Sequence, residues 1–164
     1  MTTKKVVSAA MLASLCCIAT MIIKIPSLLK GYINLGDCVV LLSGFTLSPL
    51  YAFFAAGIGS ALADIFSGYA VYAPATFVIK GVMALICFYG FKFLGEKTST
   101  LTARVVSGAL AELIMVGGYF VFEGFMYGFI PSAVNIAPNA VQGAAGLVLG
   151  VILARIFEKH KIIH

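Results

Sequence analysis

Residues 49–95 read PLYAFFAAGIGSALADIFSGYAVYAPATFVIKGVMALICFYGFKFLG, two long apolar runs joined by a short turn rich in glycine and tyrosine. The first run, Leu50 to Phe66, holds one charged residue, Asp64; the second, Pro74 to Leu94, holds Lys80 and Lys92. Runs of about 20 apolar residues cross the ~30 Å hydrocarbon core as helices, because lipid offers the backbone no partners and each N–H and C=O must be paired within the segment. Ser48 and Pro49 supply a tight turn before the first run. Pro74 suits a first helical turn, where its missing N–H costs nothing. The stretch therefore predicts two consecutive spans of a membrane bundle.

The same reading extends both ways. Towards the N-terminus, a run from Val6 to Ile25 stops at Pro26 and is followed by the mixed-polarity loop Ser27 to Gly36, SLLKGYINLG. The part from Val6 to Ile23 is too long for a signal-peptide core and has no Ala-x-Ala cleavage pattern, so a retained first helix is expected. The run from Asp37 to Leu47 amounts to only about 16 Å of helix and predicts a short or tilted second span. Towards the C-terminus, Gly95 to Thr100 (GEKTST) marks a solvent-facing loop and Leu101 to about Phe122 a fifth span. An aromatic, glycine-punctuated segment then leads to Pro138, and the sixth span ends at Phe157. The expected fold is all-α: an integral membrane bundle of six transmembrane helices forming one domain over residues 1–164.

Composition supports that solvent. Of the chain, 62% is hydrophobic and 10% charged, against roughly 25% charged in a soluble domain, and the mean hydropathy is +1.08. The net charge of +5 does not mark a nucleic-acid binder, since the basic residues flank apolar runs instead of lining a polar face. Lys4, Lys5, Lys92, Lys97, Arg104, Arg155, Lys159 and Lys161 fall on one side, whereas Lys24, Lys30 and Lys80 lie towards the other face or within a span. By the positive-inside rule both termini should be cytoplasmic.

Catalytic and metal signatures are missing: the sequence has no HExxH, GxSxG or GxxxxGK[ST], and Gly57, Gly59 and Ser60 sit mid-span with no preceding strand. Cys16, Cys17, Cys38 and Cys87 form no CxxC pair and are expected to pack as small apolar side chains. His160 and His164 belong to a basic tail. No metal, cofactor or catalytic residue is expected, and without a nucleotide site the chain cannot drive uphill transport alone.

Small residues recur every fourth position, at Ala9, Ala13 and Cys17 and at Gly146, Gly150 and Ala154. Such stripes let a neighbouring backbone approach closely. The second is expected to pack inside the bundle; the first can serve either packing or a partner. A short echo links Ala61-Leu-Ala-Asp64 with Ala109-Leu-Ala-Glu112, a pattern that chance also produces.

Charges within spans cost about 2.5 to 3.5 kcal/mol each by insertion scales, so they face a partner or a cavity. Asp64, Lys80 and Glu112 are of this kind, with Asp37 and Glu123 at outer ends. One reading is a structural ion pair of Lys80 with Asp64 or Glu112. The other is a pocket open to the outer side, where Tyr32, Asn34, Tyr69, Tyr72, Tyr119, Tyr127, Asn135, Asn139 and Gln142 also gather. Rings stack on flat ligands and amides give directed donors and acceptors. The candidate substrate-binding set is Tyr32, Asn34, Asp37, Tyr69, Lys80, Glu112, Tyr119, Glu123, Asn135, Asn139 and Gln142.

GYINLGD at Gly31 to Asp37, GIGSALAD at Gly57 to Asp64, SGYAVYAPATFVIKG at Ser67 to Gly81 and the Ala9xxxAla13 stripe together resemble the S components of energy-coupling factor (ECF) vitamin transporters. The resemblance covers essentially the whole chain. It implies capture of a vitamin at the outer face, beneath the loop joining spans one and two. It also implies partners, namely a transmembrane coupling protein met by Ala9 and Ala13 and two cytoplasmic ATPases, and a bundle that topples in the membrane to deliver its ligand. The absence of tryptophan departs from the thiamine-binding pattern; pyridoxine or hydroxymethylpyrimidine is the first expectation, with riboflavin and pantothenate as alternatives. An intramembrane enzyme using Asp64, Glu112 and Glu123, and a ligand-free scaffold, are the competing readings from other classes.

Overall fold

The computed structural model describes residues 3–26 and 32–159. The loop interior with Lys30 and Gly31, and the tail with His160, Lys161 and His164, lie outside them, as do the expectations placed there. The elements run α1 (Thr3–Ile22), β1 (Lys24–Pro26), β2 (Tyr32–Asn34), α2 (Asp37–Thr46), α3 (Pro49–Phe66), α4 (Ala73–Gly95), α5 (Thr100–Tyr127), α6 (Phe129–Ser132), a 3-10 turn (Ala133–Asn135) and α7 (Ile136–Lys159). The strands pair antiparallel with Ile25 opposite Ile33.

Among the described residues, five helical segments are long and apolar enough to cross a membrane: α1, α3, α4, α5 and the stretch Phe129–Lys159. Their outer faces expose Met11, Ile22, Leu50, Phe66, Leu113, Phe125 and Ile130, side chains that water would penalise and lipid accepts. The sixth helix, α2, is different. At 10 residues it is about 15 Å long. Eight of its residues are buried, which is why its sequence is apolar without a helical period: it has neighbours on every side. It packs chiefly against α7 and α4, with α3 and α1 behind. Leu41, Leu42, Val39 and Val40 on α2, with Met83 and Met115, make the centre of the core.

Close approach depends on absent side chains. A Cβ on Gly59 of α3 would lie 2.4 Å from the Ala13 carbonyl oxygen of α1, and one on Gly44 of α2 would lie 2.8 Å from the Ala84 carbonyl oxygen of α4. Gly146 and Gly150 of α7 meet Asp37 and Leu41 of α2, so the Gly146/Gly150/Ala154 stripe serves packing within the bundle. Cys16, Cys38 and Cys87 are buried in the same core and all four cysteines are free.

Helix ends depart from the sequence reading where capping decides them. α1 stops at Ile22, because the chain turns into the hairpin before Pro26. α5 begins where Ser99 caps it, its hydroxyl accepting from the Thr102 N–H at 3.2 Å, and continues past Phe122 to Tyr127. Gly128 ends it with φ +94°, a conformation open to glycine. The glycine-punctuated segment beyond is helical as well, and Pro138 sits inside the first turn of α7, where no N–H is needed.

Candidate functional site

One end of the bundle gathers the C-terminal ends of α1, α3 and α5, the N-terminal ends of α4 and α7, and the β1–β2 hairpin. Because α2 starts only at Asp37, well below those ends, the space above it is left to side chains. There a cleft of about 410 Å³, counted to its open mouth, is lined by Tyr32, Asn34, Asp64, Tyr69, Tyr72, Thr76, Tyr119, Glu123, Asn135, Asn139 and Gln142.

The floor is a hydrogen-bonded seal. Gln142 Nε2 donates to Asp37 Oδ2 at 2.7 Å, while Gln142 Oε1 accepts from the Asn34 backbone N–H at 2.9 Å. Asn34 Oδ1 in turn accepts from the Gly36 N–H at 2.9 Å. Beneath the seal Lys80 Nζ pairs with Asp37 Oδ1, both side chains fully buried. The partner of Lys80 is therefore Asp37, and not Asp64 or Glu112 as the sequence suggested. The ammonium also lies 5.5 Å from the centre of the Tyr119 ring. Glu112 is buried at the same depth against Gly143 and Gly146, and neither of its carboxylate oxygens has a hydrogen-bond partner among the described residues.

The walls carry a second set of contacts. Tyr32 donates its phenol to Asp64 Oδ1 at 2.6 Å and tilts against Tyr69, ring centres 4.9 Å apart. Burial, with the Asp64 carboxylate facing it, pushes the Tyr32 phenol above its ordinary range, so it stays a donor. Opposite, Asn135 Nδ2 donates to both oxygens of Glu123 at 3.0 Å, and Tyr72 reaches Glu123 Oε1 and the Tyr127 hydroxyl at 3.5 Å. Thr76 and Tyr119 share a hydrogen bond of 3.0 Å. Asn139 and the Tyr69 hydroxyl make no hydrogen bond among the described residues.

Of the residues singled out from sequence, Tyr32, Asn34, Tyr69, Tyr119, Glu123, Asn135, Asn139 and Gln142 come together around the cleft. Asp37, Lys80 and Glu112 do not line it; they lie under the floor. Asp64 and Tyr72, which the sequence also placed with the charges and tyrosines of an outer pocket, complete the lining together with Thr76. Thr76 was legible in principle, since Tyr72, Thr76 and Lys80 are four residues apart and all buried along one side of α4 and its N-cap. Ala9 and Ala13 are half-buried on α1, with the Ala13 carbonyl against α3, while their neighbours Ala10 and Ser14 are exposed.

The family model for the S component of the ECF-type riboflavin transporter matches residues 1–159. The chain belongs to the ECF transporter S-component family. Its relatives include an uncharacterized protein of Pyrococcus woesei, 33% identical over 87% of this chain and 93% of that one. Another is the thiamine precursor transporter HmpT of Lactococcus lactis subsp. cremoris, 26% identical over 85% of this chain and 78% of the relative. A solved S component of a bacterial ECF transporter shares the fold, with a TM-score of 0.72 at 21% identity over 96% of both chains. This S component is thus a multi-pass membrane protein, the substrate-binding subunit of a vitamin transporter that works with ATPases and a transmembrane component.

Proposed function

We propose that the cleft captures a small heteroaromatic vitamin or vitamin precursor, pyridoxine or hydroxymethylpyrimidine, from outside the cell for ATP-driven uptake. The observation that carries this reading is the lining of the cleft, with the Tyr32–Tyr69 pair on one wall and the open Asn139 amide among the lining groups. A thiamine precursor is also what the Lactococcus lactis relative is named for transporting.

With both termini cytoplasmic, the cleft opens outward. Lys4, Lys5, Lys92, Lys97, Arg104, Arg155 and Lys159 then gather at the inner end, as the positive-inside rule asks. The side of α1 that bears Ala9 and Ala13, with exposed Ala10 and Ser14 beside them, is the face offered to the transmembrane coupling protein, which joins two ATPases. The chain acts as a binding subunit and not as an intramembrane enzyme: Glu112, the acid that reading needs beside Asp64 and Glu123, is not among the residues that line the cleft.

The test is calorimetric titration of the detergent-purified protein with the B vitamins and their ring precursors. Submicromolar binding of pyridoxine or hydroxymethylpyrimidine is expected. Tighter binding of riboflavin or pantothenate would replace the ligand, and no binding across the set would overturn the capture reading.

A further inference from the structure

Two carboxylates line the cleft, and they are not equivalent. Both oxygens of Glu123 are occupied by the Asn135 amide, with Tyr72 added to one of them. Asp64 is also buried, but only Oδ1 has a partner, the Tyr32 phenol; Oδ2 has none among the described residues. Among the described residues no Lys or Arg lines the cleft. The nearest buried cation, Lys80, is consumed by Asp37 below the floor, and the rim lysine Lys24 is exposed and bonded to the Ser67 hydroxyl at 3.0 Å.

We infer that Asp64 is the specificity-determining acceptor of this cleft and that the cleft admits neutral or cationic ligands bearing an N–H or O–H donor while rejecting anionic ones. The inference rests on the proposed capture of a vitamin and names the chemical class that the site accepts. A buried carboxylate oxygen without a donor is a standing cost, so a ligand that brings a ring amino group or hydroxyl to it gains more than one that brings an acceptor. A ligand carboxylate or phosphate would instead enter a low-dielectric cleft already holding two carboxylates, with no Lys or Arg among its described lining residues to meet it. The unphosphorylated form of a vitamin is then the transported form, and pantothenate, which carries a carboxylate, is excluded.

Two measurements on the full chain in detergent test this. The first needs no variant: titrate pyridoxine against pyridoxine phosphate, and hydroxymethylpyrimidine against its phosphate. The phosphorylated member of the bound pair should be weaker by about a hundredfold or more; equal affinities would overturn the inference. The second is Asp64→Asn, with thermal unfolding confirming a folded protein. It should weaken the neutral ligand by roughly ten- to a hundredfold, the range expected when one buried charged partner is lost, and narrow the gap to the phosphate. If a vitamin binds wild type and Asp64→Asn changes neither value, Asp64 is not the determinant and capture still stands. If nothing in the vitamin set binds wild type, capture itself fails.

Discussion

Gln142 and Asp37 are joined by a hydrogen bond of 2.7 Å across 105 residues of sequence, and through it the wall of the cleft is tied to the buried ion pair. The same amide accepts from the Asn34 backbone, so one side chain of α7 holds both the hairpin and the head of α2. Removing it should be felt above and below. Gln142→Ala should lower stability by about 1 to 3 kcal/mol, the cost of leaving buried partners unmet, and should weaken ligand binding as the floor loosens. Thermal unfolding and calorimetry in the same detergent check both.

The Asp37–Lys80 pair is fully buried, and its members depend on each other. Lys80→Met alone should destabilise by about 3 to 5 kcal/mol, because it strands a carboxylate in the core. Adding Asp37→Leu should restore much of that loss, since an apolar pair of similar volume needs no compensation. A double-mutant cycle on unfolding temperature measures the coupling; additive effects would mean the pair is not a unit.

Glycines in this bundle differ in what they permit. Gly59→Leu should prevent folding, because its Cβ would meet the Ala13 carbonyl at 2.4 Å and that backbone cannot yield. Gly117→Ala, on the same grounds, should be neutral or stabilising by up to about 1 kcal/mol, since nothing lies within 4 Å of the new carbon and helix propensity improves. Yield of monodisperse protein and unfolding temperature separate the two.

Tyr32 offers a pH signature. Its phenol is held protonated in the fold by burial and by Asp64, whereas in the unfolded chain it ionises near the ordinary value of about 10. A raised folded-state value means that its contribution to stability is fully present below about pH 10 and is lost as pH climbs towards the folded-state value. Unfolding temperature should therefore fall more steeply above that pH in wild type than in Tyr32→Phe. Parallel curves would remove Tyr32 as the cause.

The partner face proposed on α1 can be mapped without disturbing the core. Trp in place of exposed Ala10 or Ser14 should abolish vitamin uptake by the assembled transporter while ligand affinity stays unchanged. Ala13→Trp should lower stability as well, because its carbonyl already touches α3. Uptake that survives the Ala10 and Ser14 variants would move the docking face elsewhere.

The spans were legible because lipid imposes length and apolarity on any helix that faces it, and residues 49–95 satisfy both. α2 was legible only as an apolar run of unusual shortness; its burial on every side follows from packing that no local pattern encodes. Much of the lining was legible as tyrosines and amides near helix ends. The partner of Lys80 was not. Asp37 lies 43 residues away on a helix whose depth is set by tertiary packing, while Asp64 stood nearer in sequence. Thr76 was overlooked because a lone threonine in a span gives little signal until its alignment with Tyr72 and Lys80 is followed turn by turn.

The brevity of α2 has a bearing on how related carriers can diverge. Were this helix to begin one turn earlier, its head would fill the chamber with backbone; were it to begin later, the chamber would deepen towards the middle of the bilayer. Capacity for cargo can thus be adjusted by shifting a single helix start, with the five lipid-facing walls left untouched.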